Sequence, residues 1–229
     1  MVLHSGFMVT FEGIDGCGKT TQARLAAEAL SAKGQSVVLT RNPGGTGLGQ
    51  AIRQLVLHGP ALPEDAVVEE PVAPLCELML YMADRAQHWQ TVVLPALANG
   101  QWVLCDRFTD STVAYQGYGR GLSLEMIAQL NHMACEGGGP TLTLLYDADP
   151  ALLAERIRQR GQAADRLERE ALAFHQRVRD GFLAQAQAAP DRVVLLDATR
   201  SVAELHQQTL ACIQERFLRV AQASSVNAC

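Results

Sequence analysis

The 229-residue sequence predicts an α/β, three-layer fold, a five-stranded parallel sheet flanked by helices. Two observations carry this. Short apolar, β-rich runs alternate with longer segments of helical periodicity, the pattern of strands buried on both faces and joined by right-handed crossovers. A glycine-rich loop follows directly on the first of these runs and opens a helical segment. No repeat or low-complexity linker divides the chain, so one domain over residues 1–229 is expected.

Phe7–Phe11 reads as the first strand, Ser36–Thr40 as the second and Trp102–Cys105 as the third, with Thr141–Tyr146 and Arg192–Leu196 completing the sheet. Helices are expected over Lys19–Lys33, Leu48–Leu57, Pro74–Ala98, Ser123–Glu136, Pro150–Gln159, Asp165–Ala188 and Ser201–Val220. Pro95 should kink or end the third of them. Ser123 is a start signal, and Ser201 with Glu204 forms a capping box. The ends, about 1–7 and 221–229, are expected to be frayed tails.

Composition excludes more than it assigns. A net charge of −5, without a basic–aromatic stripe, gives no reason to expect nucleic acid or an anionic membrane as partner. No run approaches about 18 apolar residues, and the N-terminus lacks a signal-peptide pattern. Six cysteines without C-x-x-C spacing read as reduced thiols of a cytoplasmic protein.

The chemistry begins at Gly13-Ile14-Asp15-Gly16-Cys17-Gly18-Lys19-Thr20, which matches the P-loop pattern G-x-x-x-x-G-K-[ST]. Such a match arises by chance on the order of once in a hundred chains of this length. Here it also has its required context, a strand before and a helix after. Glycines let successive N–H groups point at phosphate oxygens, and the helix N-terminus faces the same anion. These eight residues and Thr21 are therefore assigned to ATP, with Lys19 reaching the β- and γ-phosphates. Mg²⁺ is expected on the Thr20 hydroxyl, beside Asp106 at the end of an apolar strand. The fold is thus a three-layer P-loop fold.

Arginines away from this loop suggest a second phosphate-bearing ligand. Arg41 and Arg107 follow strands, and strand ends project to the carboxyl edge where ligands bind. Arg85 lies one helical turn after Tyr81, so a ring and a guanidinium share one helix face. The bland alternatives are a core tyrosine and solvated surface cations.

Taken together, FEGIDGCGKTTQ, TRNPGGT, the Tyr81–Arg85 segment and DRFTDSTVAYQGYGR resemble bacterial thymidylate kinase, over about Met8–Phe217. That resemblance implies transfer of the ATP γ-phosphoryl group to dTMP, giving dTDP, by a cytoplasmic homodimer. Carried over by position, Asp15 would bond the deoxyribose 3′-OH and Tyr81 would stack on thymine. Arg85 would reach the base or its vicinity, Thr112 and Gln116 would line its pocket, and Tyr115 would sit near C2′. Arg41 and Arg107 would hold the dTMP phosphate, Arg107 also acting on the transferred group.

Three positions depart from the family pattern: Tyr81 stands for Phe, Asn42 for Glu, and Asp84 neighbours Arg85. The P-loop carries Gly16 where one variant of the family has a catalytic arginine. The resemblance therefore moves that charge to a short lid over about 156–166, on Arg158 or Arg160, with Arg166 beyond the Gly161 hinge. Rival readings are a kinase for another nucleoside monophosphate and a nucleotide-dependent switch, and no guanine-reading motif supports the second.

Overall fold

A computed structural model describes residues 6–59, 71–159, 161 and 165–226. Its sheet is five-stranded and parallel, in the order β2-β3-β1-β4-β5, where β1 is Phe7–Glu12, β2 Val37–Arg41, β3 Trp102–Asp106, β4 Leu142–Asp147 and β5 Val193–Asp197. β1 and β3 are buried along their whole length, as runs without polar alternation should be. Each strand extends one residue beyond the expected range, to Glu12, Arg41, Asp106, Asp147 and Asp197. Charged residues at strand ends look like loop signals in a sequence. Here the ladder carries them to the carboxyl edge, where Arg41 pairs in register with Asp106.

One face is covered by α1 (Lys19–Ala32) and α9 (Val202–Val226). The other carries α3 (Pro74–His88), α4 (Leu94–Ala98), α5 (Thr109–Thr112) and α8 (Leu172–Ala188). α2 (Gly47–His58) packs on α3, α6 (Leu124–Ala134) also packs on α3, and α7 (Pro150–Gln159) follows β4. Start signals act as expected. Ser123 accepts from Met126 N at 3.3 Å, and Ser201 and Glu204 exchange both capping-box bonds.

Four boundaries differ. Pro95 does not break its helix sharply, because a wide turn at Trp89–Val93 precedes it and Leu94 N donates to Trp89 O. Pro95 then sits in the first turn of α4, where its missing N–H costs little. The helix expected from Asp165 starts at Leu172, since the Asp165 carboxylate accepts from Leu167 N and Glu168 N and holds a turn. Phe7, placed in the N-terminal tail, packs on Trp102 with ring centroids 4.8 Å apart. At the other end α9 continues to Val226; residues 1–5 and 227–229 lie outside the described residues.

The segment after β3 is the largest departure. α5 leads into a second wide turn at Val113–Gly119, where the sequence suggested no helix. It is held by tertiary packing on α8: a Cβ on Gly119 would lie 2.8 Å from the Phe174 ring. Among the described residues no helix is long and apolar enough to cross a membrane, and all five cysteines are free.

Candidate active site

β1 delivers the chain to the phosphate loop at the carboxyl edge of the sheet. Gly13 has φ 137°, and a Cβ there would lie 2.3 Å from the Tyr146 carbonyl oxygen of β4. No side chain fits so close an approach. Gly18 precedes α1 with φ 92°, and Lys19 opens the helix. The Lys19 ammonium is buried, donating to Ile14 O at 3.5 Å and to Asp15 Oδ1 at 3.1 Å. Thr20 Oγ1 donates to Asp106 Oδ2 at 2.6 Å, with Arg41 Nη2 3.8 Å from the same oxygen. Asp106 Oδ1 is buried and has no partner among the described residues. A hydroxyl beside a carboxylate with an orphaned oxygen fits Mg²⁺, which takes one or two protein ligands and completes its shell with water and phosphate.

Arg107 is held in the left-handed region, φ 69°, a conformation few non-glycine residues adopt. Its backbone N donates to Phe11 O at 3.0 Å, while the side chain turns toward the phosphate loop. Nη2 reaches Asp15 Oδ1 at 2.8 Å and Tyr115 Oη at 3.1 Å, and Nη1 reaches Ser111 Oγ at 3.0 Å. Tyr115 Oη in turn donates to Asp15 Oδ2 at 3.2 Å. Burial works to raise the Asp15 carboxyl, but the Arg107 and Lys19 charges and their hydrogen bonds hold it well below the usual carboxylate range. Asp15 is therefore an acceptor at any physiological pH.

Glu12 supports this corner from beneath. It is fully buried and accepts from Phe108 N at 2.6 Å and Ser111 Oγ at 2.5 Å, and Ser111 touches Arg107. Burial first, and then the Asp110 charge, push its carboxyl from 4.5 up to about 7. A raised folded-state pKa gives stability that is complete below the unfolded value and is lost as pH rises through the folded one. Wild-type stability should therefore fall between pH 4.5 and 7 by up to about 3 kcal/mol from this group. Glu12→Gln is expected to remove that slope, measured by urea unfolding across the same pH range. An unchanged slope would show that Glu12 does not titrate there.

Beside the loop lies a cleft whose lining mixes aromatic, aliphatic and charged side chains, as ligand sites do. Seven of the eight residues expected around a second ligand line it: Asp15, Tyr81, Arg85, Arg107, Thr112, Tyr115 and Gln116. Thr112, Tyr115 and Gln116 follow the spacing that puts side chains on one helix face. Arg41 instead lines the adjoining cleft with Thr20, Thr21 and Asp106. Arg53 of α2, which the sequence did not single out, joins the first cleft, its Nη1 donating to Pro43 O at 3.3 Å. Burial, and then the charges of Arg41 and Arg107, push the Arg53 guanidinium below its ordinary value. Cations gathered where two clefts adjoin mark a place for an anion.

Arg85 is not a free phosphate ligand. It is buried, with Nε and Nη2 on Asn42 Oδ1 at 3.2 and 2.9 Å, Nη2 on Phe108 O at 3.1 Å, and Nη1 on Asn131 Oδ1 at 2.6 Å. Four of its five donors are thus engaged, leaving one Nη1 hydrogen for the cleft that Arg85 lines. Asp84 does not compete for it. Asp84 accepts from Asn42 Nδ2 and from Gly44 N at 3.0 Å, so Asn42 bridges the carboxylate and the guanidinium. The Tyr81 ring lines the same cleft.

The lid arginines separate into two kinds. Arg158 is exposed on α7 and pairs with Glu155, and Arg160 lies outside the described residues. Arg166 is fixed rather than lid-borne: its backbone N donates to Leu57 O at 3.1 Å, its Nε to Val56 O at 2.8 Å, and its Nη2 contacts buried Glu77.

Comparison with known proteins gives one answer. A family model described as thymidylate kinase matches residues 11–209. The chain is 50% identical to a thymidylate kinase of Synechococcus sp. (strain JA-3-3Ab), covering 92% of this chain and 96% of that protein. It is 49% identical to one from Deinococcus radiodurans, covering 93% and 99% respectively. The crystal structure of thymidylate kinase from Ehrlichia chaffeensis superposes with a TM-score of 0.70 at 34% identity, over 91% of this chain and 98% of that one.

Proposed function

This chain belongs to the thymidylate kinase family and transfers the γ-phosphoryl group of ATP to dTMP, giving dTDP and ADP, and we propose that the phosphate loop and the cleft beside it divide the substrates between them. The observation that carries the division is Asp15, a phosphate-loop residue that bonds Lys19 and Arg107 and also lines the cleft with Arg107. ATP takes the loop, with Gly13–Thr21 around its phosphates. dTMP takes the cleft, with Tyr81 on its base, Arg85, Thr112 and Gln116 at the base edge, and Tyr115 and Asp15 on the sugar. Arg53 and Arg107 face its phosphate, and Arg41 would reach it from the adjoining cleft.

The transfer needs no general base, because a phosphate oxygen of dTMP is already a competent nucleophile. It bonds to the γ-phosphorus as the bond to the β,γ-bridging oxygen breaks, and both electrons of that bond leave with ADP. Catalysis is then positioning and charge neutralisation by Lys19 and Arg107, with Arg158 and Arg160 supplied by the lid. Thr20 and Asp106 would hold Mg²⁺, whose charge would offset that of the phosphates. The Asp15 carboxylate, held anionic, accepts from the sugar 3′-OH, while the Tyr115 ring leaves little room for a 2′-hydroxyl.

The reading extends to a cytoplasmic homodimer without nucleic-acid or membrane partners. Leu75 and Met79 of α3 and Leu124 and Met133 of α6 are exposed apolar side chains, which supports an interface there. Light scattering would then give twice the chain mass. The division of substrates is tested by ADP release with ATP·Mg²⁺ and dTMP, dUMP, dCMP, UMP, AMP or GMP as acceptor. The expected order is dTMP first and dUMP second, with UMP far behind dUMP. Equal rates with UMP and dUMP would remove Tyr115 from the sugar site.

A further inference from the structure

Glu77 of α3 is a carboxylate with no exposed surface, one helical turn before Tyr81 and two before Arg85. Every side chain that it meets is a donor. Gln116 Nε2 donates to Oε1 at 2.7 Å, Arg120 reaches Oε1 and Oε2 at 3.4 and 3.3 Å, and Arg166 contacts Oε2. Arg120 is itself pinned by Glu170 at 2.6 Å, and Arg166 by the carbonyls of α2. Burial works against the charged form of Glu77, but the bonds from Gln116 and Arg166, with the Arg120 charge, outweigh it and leave the carboxyl below its ordinary value.

An ionised carboxylate accepts and never donates. Gln116 must therefore turn its NH₂ to Glu77, which leaves its oxygen, an acceptor, as the atom for the cleft that Gln116 lines. Arg85 offers that cleft a donor. A carbonyl beside a ring N–H, as in thymine and uracil, satisfies such a pair. The amino group and bare ring nitrogen of cytosine do not.

We propose that Glu77 is a positioning residue that sets the hydrogen-bond polarity of the base pocket, so that the pocket accepts a ring N–H and rejects cytosine. The proposal rests on the reading that dTMP lies in this cleft. Glu77→Gln tests it sharply, because the neighbours of the new amide can respond in only one way. Arg120 and Arg166 can only donate, so they would hold the carbonyl of that amide and turn its NH₂ toward Gln116. Gln116 would then rotate its oxygen toward the amide and show its own NH₂ to the cleft. The pocket polarity inverts.

The readout is the ratio of kcat/KM for dUMP over dCMP, two acceptors that differ only at the base edge. Glu77→Gln should lower it about 10- to 100-fold, the scale of one mispaired buried polar contact. The double variant Glu77→Gln/Gln116→Glu again places an acceptor toward the cleft and should restore the ratio. Equal losses on both acceptors, or no rescue by the double variant, would overturn the proposal. If Glu77→Gln does not fold, Gln116→Leu decides, since it leaves Glu77 with both arginines. Its ratio should fall several-fold, and an unchanged ratio would again overturn the proposal. Tyr81→Ala guards the underlying reading: if it leaves the KM for dTMP unchanged, the base does not lie in this cleft, whatever Glu77 does.

Discussion

Lys19→Ala is expected to lower kcat by at least about 10³-fold while the protein keeps its fold, and the two halves of that statement have separate causes. The fold survives because, among the described residues, the ammonium has only Ile14 O and Asp15 Oδ1 as partners. Asp15, left behind, still has Arg107 at 2.8 Å and the Tyr115 hydroxyl at 3.2 Å, so no buried charge is orphaned. Turnover does not survive, because negative charge spreads over the transferred phosphoryl group and Lys19 is the fixed cation at the mouth of the loop. Its ion pair with Asp15 holds the side chain beside the loop, where the proposed triphosphate would compete for it. Steady-state kinetics and a thermal melt check both halves. A variant with near-normal kcat would remove Lys19 from the phosphate path. One that fails to melt cooperatively would make it structural.

Much of this arrangement was legible in the sequence because it rests on local patterns. Apolar runs of strand length gave the sheet, and the spacing from Gly13 to Thr20 gave the phosphate loop with its following helix. What escaped depends on neighbours distant in the chain. The Thr109–Gly119 segment mixes β-branched residues with glycines and lacks helical periodicity, yet α8 imposes a wound turn on it by packing on Gly119. Arg53 lies among Gln50 and Gln54 and reads as a solvated face. Only the seating of α2 on α3 brings it to the cleft with Arg41 and Arg107 nearby. Glu77 looked equally bland, since one helical carboxylate among leucines cannot announce that Gln116, Arg120 and Arg166 will close around it. In sequence, the spacing of Arg85 from Tyr81 marks it as a ligand cation. Its spacing is right, but most of its donors serve Asn42, Asn131 and Phe108.

Arg107→Ala should cost about 10³- to 10⁵-fold in kcat/KM for dTMP, because in the proposed arrangement one side chain serves both substrates. Its guanidinium touches Asp15, Ser111 and Tyr115, so removal loosens the sugar site as well as the phosphate site. Arg107→Lys separates geometry from charge. A lysine at this left-handed position bears the same backbone strain and keeps the cation, but it lacks the fork that reaches Asp15 and Ser111 together. It should recover only part of the loss; full recovery would mean that charge alone matters here. The alanine variant also carries a pH signature. The low folded-state pKa of Asp15 gives stability that is present above its unfolded value, near 4, and is lost as pH falls toward the folded one. Without Arg107 the Asp15 pKa rises and part of that stability disappears. The gap in Tm between wild type and Arg107→Ala should therefore be widest at neutral pH and narrow toward pH 3. A gap that is constant across this range would place the loss in packing around Tyr115 instead of in the Asp15–Arg107 pair.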